Sequence, residues 1–143
     1  MNYIEIKDCK KGYILKGESN HKVYKDEHGN TIRGHYMIFI EARTDTDFIG
    51  AMITRVDYKG TNIPMIEEHF LIHFSEEPKE PCQITYKNSH LVPCLLIKVD
   101  EMGPFIKVGE LSESGIEFIE QSVIGKGPYQ WEEYLYYQKE GKL

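Results

Sequence analysis

The sequence predicts a mainly β protein of the α+β class, built as a strongly bent antiparallel sheet or small barrel with one or two appended helices. About seven short apolar or alternating segments are separated by regularly spaced turn signals, as in small β domains. Two of them, Tyr36–Ile40 and Phe48–Ile53, are almost wholly apolar and are joined by a short polar stretch, which indicates a buried antiparallel pair. Helical patterns appear only after about residue 112.

Length, charge and hydropathy limit which classes of protein this sequence can belong to. At 143 residues the chain is most simply one domain over residues 1–143, with a C-terminal helical segment from about residue 112. The net charge of −6 disfavours tight, non-specific nucleic-acid binding but leaves room for a small RNA-cleaving site. No apolar run approaches the ~20 residues that span a bilayer, and the first residues lack a signal pattern. We therefore expect a cytoplasmic protein with no membrane association.

Two short strands are predicted before a long polar stretch near the N-terminus. Residues 2–6 alternate weakly and indicate an edge strand, and Gly12 introduces Tyr13–Lys16, which has strong β character. The polar stretch 18–32 is long for a loop, a feature often associated with function. It is either a solvated hairpin with ordinary surface side chains or a source of groups that contact phosphate or move protons. Those groups are Ser19, His21, Lys22, Lys25, His28 and Arg33.

The middle of the chain predicts the rest of the sheet. The central strand pair spans about 35–42 and 48–54. Residues 63–74 have the pattern of one longer strand, whose start is confined by Pro64 to an edge or entry position. The apolar run 91–99 is expected in the core. Shorter strands are predicted at 82–86 and 105–109.

Two helices are predicted towards the C-terminus. Ser112 can cap a helix over 112–123, and Glu113 lies in its first turn, where the helix dipole favours an acid. Gly115 weakens the helical pattern. Pro128 opens a second helix over Tyr129–Lys139, whose many aromatic side chains are expected to pack on the barrel or on a partner.

Histidines and cysteines are the candidate metal ligands. His69 and His73 would share one face of a strand about 13 Å apart, too far for one metal ion. The three cysteines, Cys9, Cys82 and Cys94, are odd in number and widely spaced, unlike a disulfide framework or a zinc site. We therefore predict reduced, buried cysteines, no metal and no cofactor. A metal or small-molecule site built from several of the six histidines is the weaker alternative.

Polar residues at the ends of the central strand pair form the candidate catalytic cluster. The start of one antiparallel strand lies beside the end of the next, so Arg33, His35 and Thr54 are expected near one another. His35 can act as acid or base near neutral pH, and Thr54 can donate its hydroxyl to a phosphate oxygen. Arg33 or Arg55 can hold a phosphate with its planar fork. The sequence carries no Walker-type loop, GxSxG, HExxH or paired CxxC motif that would favour other chemistry.

Several segments resemble the MazF/PemK/Kid-like toxin family, whose fold is also called CcdB-like. Gly12–Lys16 resembles its glycine-led strand, Arg33–Ile40 its Arg-Pro-apolar strand, and Ile49–Thr54 the strand that ends in apolar-Thr. Asn62–Glu67 and His90–Val99 resemble later segments of the family. Where the family has a proline after the arginine, this chain has Gly-His, and it is longer and more acidic than a typical toxin of this kind. A specialised or inactive relative is therefore one alternative.

The resemblance implies a small SH3-like, strongly bent antiparallel β-barrel. It further implies a metal-independent endoribonuclease toxin of a toxin–antitoxin system, which cleaves single-stranded RNA, forms a homodimer and is neutralised by a cognate antitoxin protein. The catalytic arginine and threonine of the family fall on Arg33 and Thr54, and His35 or His21 is the expected proton-transfer partner. The candidate substrate-binding residues are Ser19, His21, Lys22 and Arg55.

A different class of function fits the same sequence. The negative charge and the aromatic C-terminal segment favour a non-catalytic small β-barrel module that binds a protein partner. The two hypotheses differ in whether the polar residues at the ends of the central strands are catalytic or only structural.

Overall fold

An antiparallel sheet flanked by two helices makes up the described part of the chain, so the protein is mainly β and belongs to the α+β class. The computed structural model describes residues 3–17, 36–54, 60–72, 89–99 and 104–141. The strands are β1 (Tyr3–Ile4), β2 (Tyr13–Gly17), β3 (Tyr36–Ala42), β4 (Asp47–Thr54), β5 (Ile63–Pro64), β6 (Phe70–Ile72), β7 (His90–Leu91), β8 (Leu96–Val99) and β9 (Phe105–Leu111). The helices are α1 (Glu113–Ser122) and α2 (Trp131–Lys139). Short 3-10 turns cover Ile6–Asp8 and Glu67–His69.

The strands lie in the order β1-β9-β2-β3-β4-β7-β5, and β6 also pairs with β9 while β8 pairs with β4. Every strand pairing in this order is antiparallel. Between the described strands, no pairing closes the sheet into a ring. The edge position predicted for the first strand is confirmed, because β1 stands at one end of the order. No helix in the described ranges is long and apolar enough to cross a bilayer.

The central strand pair is confirmed. β3 and β4 form a hairpin in which Tyr36 pairs with Ile53, and a bulge lies between Phe39 and Glu41. The turn between the strands is stabilised locally, since the Thr44 hydroxyl accepts hydrogen bonds from the backbone N–H groups of residues 46 and 47. A threonine or aspartate side chain that bonds its own backbone favours a tight turn over continued strand.

Apolar side chains are buried on both faces of the sheet. Because successive strand residues point to opposite faces, alternating positions divide into two core clusters. One cluster includes Ile14, Ile38, Ile53 and Leu91, and the other includes Leu15, Met37, Phe48, Met52 and Val92. Trp131 and Tyr134 of α2 belong to the second cluster, so α2 packs against the sheet. The apolar run 91–99 contributes to the core as predicted: Leu91 belongs to the first cluster, Leu96 belongs to the second, and both are completely buried.

The prediction of one continuous strand over 63–74 is wrong. The chain instead forms β5, a 3-10 turn and β6, which lie at different positions in the sheet. The backbone N–H of Ile66 donates to Nδ1 of His69, 3.1 Å away, and this side-chain acceptor closes the turn. The backbone carbonyl of Glu68 accepts hydrogen bonds from the hydroxyls of Ser112 and Ser114 instead of a neighbouring strand. The strand predicted at 82–86 lies outside the described residues.

Both helices occur where the sequence predicts them. The Ser112 hydroxyl caps α1 by accepting a hydrogen bond from the Gly115 N–H at 3.2 Å, as expected. α2 begins at Trp131 rather than Tyr129. The reason is that Tyr129 bonds the sheet: its N–H donates to the Leu95 carbonyl, and its carbonyl accepts from the Ile97 N–H. These two hydrogen bonds hold Tyr129 in an extended segment beside β8.

Candidate functional site

Thr54 is the predicted catalytic residue that the structure describes. It ends β4 and is partly buried. The other predicted site residues lie outside the described ranges, so their placement stays a prediction. They are Arg33, His35, Ser19, His21, Lys22 and Arg55.

A row of three residues crosses the sheet at the end of β4. Thr54 is directly opposite His90 of β7, and His90 is directly opposite Pro64 of β5. Directly opposed residues of antiparallel strands share a face, with Cβ atoms about 4.5–5.5 Å apart. The hydroxyl of Thr54 and the imidazole of His90 therefore project from the same face, side by side. The next row, which includes Ile53 and Leu91, points to the opposite face and into the core.

The same end of the sheet is where β3 begins. Tyr36, the first residue of β3, pairs with Ile53, the neighbour of Thr54. The sequence argument that the start of the first central strand lies beside the end of the second is thus confirmed for the described strands. The approach of Arg33 and His35 to Thr54 stays a prediction that this register favours.

His90 is a site candidate that sequence reasoning missed. The apolar residues that follow it dominate the local pattern, so the sequence predicts a core run from Leu91 and gives His90 no role in a site. Its position depends on β7 inserting between β4 and β5, a non-local pairing that no local pattern encodes. The available signal was the alternation itself: a buried Leu91 requires His90 to face the other side of the sheet.

A cleft of about 180 Å³ opens next to this row, between α2 and the β5–β7 edge. Val92 and Pro93 line it from the sheet side, and Tyr134 and Gln138 line it from α2. Val92 lies two residues after His90, which corresponds to about 7 Å along an extended chain. The remaining lining residues are Thr61, Asn62, Lys126 and Gly141.

Thiol chemistry is disfavoured at the two described cysteines, Cys9 and Cys94, which are both free thiols. Burial, assisted by the nearby Asp8 carboxylate, raises the pKa of Cys9 to about 11. Its Sγ donates to the Glu5 carbonyl at 3.4 Å. A thiol that stays protonated at neutral pH is a poor nucleophile and a poor metal ligand. Cys94 is completely buried in the core. The predicted burial is confirmed for Cys94 but not for Cys9, which is only partly buried, and Cys82 lies outside the described residues.

His69 has a structural role in this arrangement. Its ring stacks on Phe118 of α1, with centroids 4.3 Å apart and planes 14° apart, while Nδ1 caps the 3-10 turn. Both interactions use the neutral imidazole with its proton on Nε2. In the described part of the chain, no group of three or more histidine, cysteine or acidic side chains is arranged to hold a metal ion. His73, which the sequence places too far from His69 to share a metal ion, lies outside the described residues.

Acid is expected to weaken the fold through His69. Burial lowers the pKa of His69 below its usual 6.5, and the charge of Glu68 only partly opposes this shift. The unfolded chain therefore binds the proton more readily, so the stability contributed by neutral His69 is complete above pH ~6.5 and decreases as pH falls below it. His69→Asn keeps an acceptor near the position of Nδ1 but does not titrate. Its free energy of unfolding, measured by urea denaturation from about pH 7 to 5, should fall less than that of the wild type. If the free energy of unfolding fell equally with pH in the two proteins, neutral His69 would not be the source of the acid sensitivity.

Comparisons with protein-family models, with curated proteins and with solved structures find no match to this chain.

Proposed function

We propose that this protein is a metal-independent endoribonuclease that cleaves single-stranded RNA, acting as the toxin of a toxin–antitoxin pair. The observation that carries the proposal is the pairing of Thr54 with His90 on adjacent strands. A hydroxyl donor and an imidazole, a common general acid and base, lie side by side at the end of the sheet from which β3 starts. The polar sequence Arg33-Gly-His35 immediately precedes that strand.

The proposed reaction is attack by the RNA 2′-hydroxyl on the adjacent phosphorus. His35 accepts the proton of the 2′-hydroxyl, the new P–O2′ bond forms, and His90 donates a proton to the 5′-oxygen as the P–O5′ bond breaks. The products are a 2′,3′-cyclic phosphate and a 5′-hydroxyl. Thr54 donates a hydrogen bond to a non-bridging phosphate oxygen, and Arg33 stabilises the negative charge of the phosphorane. Ser19, His21, Lys22 and Arg55 are proposed to bind the RNA.

The fold proposed with this function is a small SH3-like barrel. A barrel needs a curved sheet, and the short connection from β5 to β6 supports such curvature. β5 is at one end of the strand order, whereas β6 pairs with β9 near the other end. Six strand spacings of a flat sheet amount to about 29 Å. The connecting residues 65–69 include a 3-10 turn, and the step from Pro64 to Phe70 can cover at most about 21 Å. The sheet must therefore curl for this segment to join its two edges.

The partners proposed with this function are a second copy of the chain and an antitoxin protein. A non-catalytic, partner-binding module is the second candidate, and it is favoured by one observation on α2. The rings of Tyr129, Tyr136 and Tyr137 contact one another in series, and Tyr136 is 54% exposed. Exposed tyrosine is common where proteins dock. A partner that co-purifies with the wild type but not with Tyr136→Glu would favour this candidate.

Cleavage of a long single-stranded RNA by the purified protein, in buffer containing EDTA, tests the first candidate. The wild type is expected to produce fragments ending in a cyclic phosphate. Thr54→Val and His90→Gln, each chosen to keep side-chain size, should lower the rate by at least about 100-fold. Thr46→Val removes an exposed hydroxyl from the turn that precedes β4, at the other end of that strand from Thr54, and should cleave like the wild type. An inactive wild type, or full activity in the Thr54 and His90 variants, would overturn the proposal.

A further inference from the structure

We propose that the cleft between α2 and the β5–β7 edge binds a small organic monoanion, a carboxylate attached to one ring or a short apolar chain. This site differs from the Thr54–His90 pair and does not depend on RNA cleavage. The class of ligand follows from three properties of the cleft: its size, a lysine among its lining residues, and a polar wall provided by α2.

Size limits the ligand to one ring. The cleft volume is about 180 Å³. An apolar cavity of about 150 Å³ accommodates benzene, so the space here suits a single ring with one polar substituent. Val92 and Pro93 provide an apolar surface for that ring. Val92 is 3% exposed and belongs to a core cluster, and its N–H donates to the Met52 carbonyl, so this wall is rigid.

Lys126 supplies the cation, and its backbone is anchored on both sides. Its N–H donates to the Val123 carbonyl at the end of α1, and its carbonyl accepts from the Leu95 N–H, at 2.9 and 2.8 Å. Gly127, the next residue, has a φ of 101° and lies against the Leu95 carbonyl, where a Cβ would not fit. These contacts place the start of the Lys126 side chain at the cleft.

The charge of Lys126 is available to a ligand. Among the residues that the structure describes, no carboxylate lies within ion-pair distance of its Nζ. Lys107, another partly buried lysine, has a local partner and contacts Glu110 at 2.8 Å. The partly buried Lys126 has no such partner among the described residues, and the chain as a whole is acidic, with a net charge of −6. A carboxylate is its natural ligand, because charge-assisted hydrogen bonds are roughly twice as strong as neutral ones.

The wall formed by α2 is polar and ordered. Gln138 Nε2 donates to the Tyr134 hydroxyl at 2.9 Å, one helical turn away. This hydrogen bond turns the amide so that its carbonyl oxygen remains the acceptor for a donor on the ligand. Asn62 stands on the opposite side and is 8% exposed. The cleft thus presents a cation, an acceptor and an apolar wall, which match a carboxylate, a hydrogen-bond donor and a ring.

Benzoate is the first probe, with benzamide as its uncharged counterpart. Titration of the full chain followed by ¹H–¹⁵N NMR should give saturable shifts for benzoate at residues 61, 62, 92, 126 and 138, with a dissociation constant on the order of millimolar. Benzamide should bind at least about tenfold more weakly. 4-Hydroxybenzoate, which adds a hydroxyl donor, should bind more tightly than benzoate.

Matched lysine variants test the role of the cation. Lys126→Met should weaken benzoate at least about tenfold and leave benzamide unchanged. Lys139→Met removes an exposed lysine from the last turn of α2, outside the cleft, and should bind benzoate like the wild type. Thr61→Phe, at an exposed lining position, should fill the cleft and abolish binding of both probes without unfolding the protein. The proposal is overturned if benzoate shows no saturable shifts, if benzamide binds equally well, or if Lys126→Met and Thr61→Phe bind like the wild type.

Discussion

Replacing Gly115 with alanine is expected to destabilise the protein by about 3 kcal/mol, although the same change inside an ordinary helix stabilises by about 1 kcal/mol. α1 lies so close to the 3-10 turn that a Cβ at position 115 would overlap the carbonyl group of His69. A backbone carbonyl cannot rotate away as a side chain can. The helix would have to move, which would strain the bonds that join Ser112 and Ser114 to the carbonyl of Glu68.

Urea denaturation measures this effect, and Gln121→Ala is the matched control. Gln121 is exposed on the same helix, so its replacement should change the free energy of unfolding by no more than about 0.5 kcal/mol. If Gly115→Ala were as stable as the wild type, α1 would not rest against the 3-10 turn. The sign of the change is thus a direct test of how these two elements pack.

Replacing Phe48 with alanine is expected to lower the free energy of unfolding by about 4 kcal/mol. Phe48 is completely buried on β4, and its ring lies 5.2 Å from that of Phe39 and 5.4 Å from that of Phe105. The three rings join the central hairpin to β9. Loss of the Phe48 ring removes apolar contacts with the other two rings and leaves a cavity that the rigid neighbouring strands cannot close.

Two comparisons separate packing from simple loss of an aromatic ring. Phe48→Leu retains most of the volume and should lose no more than about half as much stability as Phe48→Ala. Tyr136→Ala removes an aromatic ring from the exposed side of α2 and should have a small effect. A Phe48→Ala protein that unfolds at the same urea concentration as the wild type would contradict the assignment of Phe48 to the core.

Local sequence patterns predict the strands and helices well where the hydrogen-bond partners are local. The hairpin of β3 and β4 and the cap at Ser112 follow from alternation and side-chain chemistry close in sequence. The segment 63–74 was predicted wrongly because its alternation resembles that of a strand, whereas its turn is closed by the His69 side chain and held by Ser112 and Ser114, more than 40 residues away. The alternation of apolar residues in this segment does not reveal that the Glu68 carbonyl accepts hydrogen bonds from the distant hydroxyls of Ser112 and Ser114. The start of α2 was displaced for the same reason, by the bonds of Tyr129 to β8.

The candidate site was predictable in part. The end of β4 and the start of β3 were recognised as neighbours from strand direction alone, and Thr54 is where that argument places it. His90 was missed because it reaches Thr54 through the insertion of β7 beside β4. The cleft was missed because it joins the end of α1, the β5–β7 edge and α2, three regions brought together only by the fold.

The position of β9 in the sheet constrains how the chain is made in the cell. β9 is the partner of β1, of one edge of β2 and of β6, yet it is the last of the described strands to be synthesised. Tyr3 of β1 cannot pair until its partner Ile106 has been synthesised, about 100 residues later. At ~5–20 residues per second, this takes roughly 5–20 s of translation. During this time the nascent chain carries unpaired β-edges that can bind other chains. Productive folding of this protein is therefore tied to completion of its C-terminal third, and a ribosome that stalls before residue 105 leaves a fragment without β9, the strand that pairs with β1, β2 and β6.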